Sequence, residues 1–220
     1  MDTVTVLNDA FATARSLYWE KGSRVIPTIA CLFIFPLIIG YIVELWKGGK
    51  PHAEELSWGR LFIDGIKILV IQLIYLVPLI LVAGIFFIAL LYPFRYIPPQ
   101  ELLQLIPAMI VGFIIFLVVY VIIVLLATIG NVRFARTGKM GEAFNFGAII
   151  EHIGKIGWLR YIWLLIVLDI VILFSVAGFM LLSPSMVLAL VWILLYPGVI
   201  VFAARYISLV YDSAALPATV

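Results

Sequence analysis

An all-helical bundle embedded in a bilayer is the fold class that the sequence predicts, and three observations lead to it. Of 220 residues, 65% are hydrophobic and 12% charged, against about 45–50% and about 25% in soluble domains. Several apolar runs exceed the roughly 18–20 residues that cross a bilayer core. Stretches such as Val111 to Ala127 are apolar on every face apart from Tyr120, whereas a barrel strand would alternate lipid-facing and lumen-facing residues. A soluble enzyme domain is excluded. A polytopic bundle of about five transmembrane helices is expected.

The elements follow in order. Residues 1–24 form an amino-terminal segment in which Leu7, Ala10, Phe11, Ala14, Leu17 and Tyr18 recur at helical spacing. The transmembrane domain fills 25–220, with spans at about 25–46, 66–92, 103–130, 158–182 and 186–211. Pro36, Pro78, Pro107 and Pro197 fall inside spans, where each predicts a kink tolerated because neighbouring helices satisfy the freed backbone. Spans four and five are separated by Ser183, Pro184 and Ser185 alone, which requires an antiparallel hairpin. A short turn around Pro93, Pro98 and Pro99 joins spans two and three.

Polar stretches between spans also carry the helical period. Ile149, Ile150, Ile153 and Ile156 follow Phe146, with Glu151 and Lys155 on the other face at i,i+4. Trp58, Leu61, Phe62 and Ile66 repeat the pattern, with Arg60 and Asp64 opposite. Together with the amino-terminal segment these predict three interfacial amphipathic helices, each leading into a span. Two of them also match in sequence. Gly48-Gly49-Lys50, Glu54, Trp58-Gly59 and Lys67-Ile68 answer to Thr137-Gly138-Lys139, Glu142, Phe146-Gly147 and Lys155-Ile156, and Val82-Ala83-Gly84 echoes Val176-Ala177-Gly178. A direct repeat of interfacial helix plus hairpin is the preferred account; convergent composition ahead of spans is the alternative.

Cations set the orientation, because short cytoplasmic loops are rich in Lys and Arg. Lys47, Lys50, Arg60 and Lys67 lie between spans one and two, and Arg133, Arg136, Lys139, Lys155 and Arg160 between three and four. The opposite turns hold Arg95 alone. Both basic loops and the carboxyl terminus are therefore expected in the cytoplasm of a multi-pass cell-membrane protein. The amino terminus carries Arg15, Lys21 and Arg24, which a single crossing by span one would place outside. Five full crossings are the preferred arrangement; the alternative is a re-entrant span one, around Pro36 and Gly40, with both ends in the cytoplasm.

Gly40-Tyr41, the run Trp58 to Lys67 with Leu61-Phe62-x-Asp64-Gly65-Ile66-Lys67, Tyr75-x-x-Pro78, and Phe134-Ala135-Arg136-Thr137-Gly138 through Ala143-Phe144 resemble the integral-membrane family called domain of unknown function 4013. The resemblance covers nearly the whole chain, although its motifs are short. That family occurs mostly in archaea, methanogens among them. The resemblance implies a topology and no activity, so it carries over no catalytic or binding residue.

Few residues could carry chemistry. Asp169 sits near the middle of span four, where a carboxylate costs about 2.5–3.5 kcal/mol on insertion scales. It is therefore expected to face the bundle interior. Its functional reading is an ion or proton site. Its plain reading, preferred because no second intramembrane acid and no mid-span Lys or His accompanies it, is a packing contact to Tyr120, Tyr196 or Gln72. His52 and His152 lie beside carboxylates without zinc-ligand spacing, and solvated faces are expected for both. Cys31, the only cysteine, excludes a disulfide framework within one chain and reads as a buried, inert thiol. No phosphate loop, nucleophile signature or cofactor motif is present. Fourteen Lys and Arg against twelve Asp and Glu, beside spans rather than in a stripe, give nucleic-acid binding no support. A removable signal peptide is not expected. Trp19, Trp46, Trp58, Tyr92, Tyr96, Trp158, Tyr161 and Tyr211 cluster near span ends, as headgroup anchors do.

Two function classes remain. One is a non-enzymatic scaffold, assembly or accessory subunit, or lipid-organising module, partnered by the bilayer and by other membrane subunits or itself. The other is a small channel or carrier using Asp169, supported by the kinked spans and the repeat.

Overall fold

The computed structural model describes residues 3–19, 34–48, 57–94, 103, 105–182 and 185–215. Seven α-helices are found among them: α1 Thr3–Trp19, α2 Phe35–Trp46, α3 Trp58–Phe94, α4 Ile106–Thr137, α5 Phe146–Ile156, α6 Trp158–Leu182 and α7 Met186–Asp212. Short 3-10 turns cover Met140–Phe144 and Ser213–Ala215. Four helices, α3, α4, α6 and α7, are long and apolar enough to cross a membrane, and no strand occurs among the described residues.

The helices alternate in direction, so one end of the bundle gathers the starts of α3 and α6 and the finishes of α2, α4 and α7. Lys47, Arg60, Lys67, Arg133, Arg136, Lys139, Lys155 and Arg160 all lie towards this end, called here the basic end. Buried side chains concentrate in this half. One cluster joins Leu37, Tyr41 and Val43 to Leu61, Ile71, Val132 and Ala204; another joins Val6 and Ala10 to Ile129, Ile153, Leu164 and Tyr206. The far halves of α3, α4 and α6 present Ile85, Phe87, Ile110, Phe113, Leu173 and Phe174 outward, as bilayer-facing surfaces do. At 37 residues, α3 is about 55 Å long, well beyond an apolar core of about 30 Å.

Several expectations are corrected. The pattern from Trp58 to Ile66 is not a separate interfacial helix but the first turns of α3, and Asp64, expected on the outer polar face, is on the inward one. Trp58, Phe62 and Ile66 are exposed, whereas Leu61 is buried and Asp64 turns inward against α2. Nor does α1 lie in the interface plane. It runs antiparallel along α7, with Asp9 beside Arg205 and Tyr18 beside Leu194 and Gly198, which buries Val6, Ala10 and Leu17. The third, α5, is a short helix of its own. Gly157, at φ +94°, breaks the chain between it and α6, a conformation that favours glycine.

Span one is described only from residue 34, and Cys31, His52, Lys50, Arg95, Pro98 and Pro99 lie outside the described residues. Within what is described, α1 leads away from the basic end and α2 returns to it. Thr3 and Trp46 therefore sit at the same end. Gly40 and Gly65 let α2 and α3 touch backbone to backbone, because a methyl group at either would overlap the carbonyl of Leu61 or Pro36. Pro36 and Pro107 occupy first turns of α2 and α4, where a missing N–H interrupts nothing, so no kink arises at either. Pro197 does lie inside a helix.

Candidate functional site

Two of the segments that carry the family resemblance, 58–67 and 134–144, meet at the basic end. Lys47, one residue past α2, reaches Glu44 at 2.6 Å and the Asp64 carboxylate at 3.0 Å, and Lys67 holds the other Asp64 oxygen at 3.1 Å. Asp64 is thus clamped between two ammonium groups. Opposite, the Arg136 guanidinium donates to Ser208 Oγ at 3.0 Å and to both Asp212 oxygens at 2.9 Å, and lies over the Tyr211 ring. Its tip also rests where a Gly48 side chain would stand. Between these groups lies a cavity of about 450 Å³ bounded by Lys47, Arg60, Asp64, Arg136, Thr137 and Gly138.

Other ties hold the 3-10 turn and α5 against the bundle. Arg133 pairs with Glu142, and the Tyr75 hydroxyl donates to the Ala143 carbonyl, a reach made possible by Gly130, where a side chain would strike that carbonyl. On α5, Ile149, Ile153 and Ile156 are buried while Phe146 and Ile150 remain exposed. Lys155 bridges Glu151 at 2.7 Å and holds its carboxyl below the usual range. His152 is not on a solvated face. Its ring stacks on Tyr211 with centroids 4.0 Å apart, and Nε2 lies 2.9 Å from the Tyr211 carbonyl. A carbonyl only accepts, so Nε2 carries the proton. Burial lowers the imidazole pKa and keeps the ring neutral. The cluster offers ion pairing and helix positioning. Among the described residues no group of three or more His, Cys, Asp or Glu is placed to hold a metal ion.

The polar residues at membrane depth are not brought together as one site. Gln72 and Tyr120 share a crevice of about 250 Å³ between α3 and α4 with Tyr75, Thr128 and Asn131. Tyr196 lies exposed on α7. Asp169 joins neither. It is exposed on the outer face of α6, on the apolar side formed by Ile166, Ile170 and Leu173, and no described residue donates to it. The expected inward placement, with a donor from Tyr120, Tyr196 or Gln72, is therefore corrected: at this level Leu164, Leu165 and Leu168 take the inward face of α6.

Sequence reasoning missed two groups. Asn131, on one face of α4 with Tyr120 and Thr128, was readable from their i, i+8, i+11 spacing. Tyr18 was readable only as part of an apolar stripe. Its hydroxyl donates to the Leu194 carbonyl at 2.9 Å and accepts from the Gly198 N–H at 3.0 Å, closing the gap that Pro197 opens in the α7 ladder.

With this geometry in place, comparison with known proteins gives one match: the family model described as "Protein of unknown function (DUF4013)" matches residues 25–184. No curated protein and no solved structure matches.

Proposed function

The chain belongs to the DUF4013 family, and we propose that it serves as a non-enzymatic membrane scaffold that assembles through the outer face of α6, its occupant being a second copy of the same chain. The observation that carries this reading is the place of Asp169, unpartnered and midway along α6 on an apolar outer face. Facing lipid, that carboxyl would cost about 2.5–3.5 kcal/mol. Two copies related by a two-fold axis along the bilayer normal bring their Asp169 residues to the same depth by symmetry. There one carboxyl accepts the other's proton, since two ionised carboxylates would repel.

The basic end supports the same reading, because ion pairs tie α2 to α3 and α4 to α7 and one apolar cluster packs the four helices together. In this proposal the basic end lies in the cytoplasm and α5 is an amphipathic helix at the headgroups, with Ile150 and Phe146 toward lipid. The carrier reading needs Asp169 on an internal polar path, and its outward position argues against that.

Single-molecule photobleaching of the labelled full chain in nanodiscs tests the proposal. Two-step bleaching is expected for the wild type and for Asp169→Asn, whose amides pair with each other, and one-step bleaching for Asp169→Leu. A wild-type chain that bleaches in one step overturns it, as does an Asp169→Leu chain that remains paired.

A further inference from the structure

The crevice between α3 and α4 lies apart from the Asp169 face and asks for a different occupant. Its basic-end half is lined by Gln72, Thr128 and Asn131, and its deeper half by Leu76, Leu79 and Ile123, with the Tyr120 phenol as the one polar group there. Asn131 is only 4% exposed, and its Oδ1 is buried without a hydrogen-bond partner. The hydroxyl hydrogens on the inner wall are already used: Thr128 donates to the Val124 carbonyl at 2.8 Å, and Tyr75 donates to Ala143. The inner wall therefore offers acceptors that lack a donor. Among the described residues no Lys, Arg, His, Asp or Glu lines the crevice, so a phosphate would find no counter-charge from them. Gln72, Leu76 and Tyr120 are exposed at its mouth, which opens sideways from two candidate spans.

We infer that this crevice binds a neutral, hydroxyl-bearing amphiphile from the bilayer, whose hydroxyl donates to Asn131 Oδ1 and whose chain runs inward past Leu76 and Leu79. The order of polar and apolar lining matches such a molecule's own polarity, head toward the basic end and chain toward the bilayer centre. A lipid with an anionic headgroup finds no cation among the described residues that line this place.

The test uses the full chain in nanodiscs with two photoactivatable probes, a long-chain diazirine alcohol and its phosphate monoester. Mapped by mass spectrometry, the alcohol is expected to label peptides within 72–79 and 120–131, with competition by dioleoylglycerol and no labelling there by the phosphate. Asn131→Leu is expected to reduce alcohol labelling about tenfold while preserving the thermal midpoint, because the amide it removes has an unpaired buried oxygen. Leu79→Trp, which leaves the amide and fills the deep half, is expected to do the same and decides the matter if the first variant does not fold. Labelling unchanged in either folded variant, equal labelling by the phosphate, or no alcohol labelling in the crevice overturns the inference. Protection of the crevice by a second protein chain in place of the alcohol overturns it too.

Discussion

Tyr18 and His152 each settle a backbone group that the helices alone leave open, and each gives a measurable consequence. Tyr18→Phe removes the hydroxyl that serves both Gly198 N–H and the Leu194 carbonyl beside Pro197. Leaving the Gly198 N–H unmet costs about 1–3 kcal/mol, so the thermal midpoint should fall, and hydrogen exchange at Gly198 should quicken; an unchanged rate there would contradict the role. His152 titrates in the opposite sense to a salt-bridged histidine. Burial depresses its folded pKa below an unfolded value of about 6.5, so the unfolded chain takes up the proton first. Its contribution is present in full above about pH 6.5 and declines as pH falls through the window below, down to the folded pKa. Acidification from about pH 7.5 to 5.5 should therefore lower the thermal midpoint of the wild type more than that of His152→Gln; equal losses would remove His152 from the account.

At the scale of the element, the α2–α3 crossing rests on two glycines. Gly65→Leu forces a side chain into the Pro36 carbonyl, and overpacking of this kind costs about 1–3 kcal/mol or more. The expected result is loss of the Lys47–Asp64 pairing, read as faster exchange across 37–46; an unaffected α2 would show that the close approach is not needed. The same elements show what the sequence can tell. The ends of α6 and α7 were legible to within a residue or two, because Gly157 and the Ser-Pro-Ser turn punctuate continuous apolar runs. The first turns of α3 were legible as helix but not as to which face turns inward. Periodicity defines two faces, and in a bilayer the apolar one can be the outer. Asp64 therefore reads as wet in the sequence and lies buried beside Lys47. Asp169 fails for a related reason: its expected inward placement assumes that one chain is the whole bundle. The basic-end cavity was legible only as two separate motifs, since nothing in their spacing says that Arg136 and Asp64 line one space.

For the whole molecule, the distribution of cations and the shared end of Thr3 and Trp46 give one orientation to check. In a background with Cys31 replaced by Ala, an impermeant thiol reagent added outside intact cells should label Ser185→Cys and spare Ser57→Cys and Asn145→Cys. The reverse pattern would invert the protein in its membrane. The central claim, that α6 presents Asp169 outward to a second copy, is tested most directly by disulfide cross-linking in native membranes in the same background. Single cysteines at Ile166, Ile170 and Leu173, on the face that carries Asp169, should form cross-linked dimers under mild oxidation. Cysteines at Leu164 and Leu168, which are buried in the bundle, should not. Addition of Asp169→Leu should abolish the cross-links. Absence of any dimer from the outer-face positions, or cross-linking without helical periodicity, would contradict the claim.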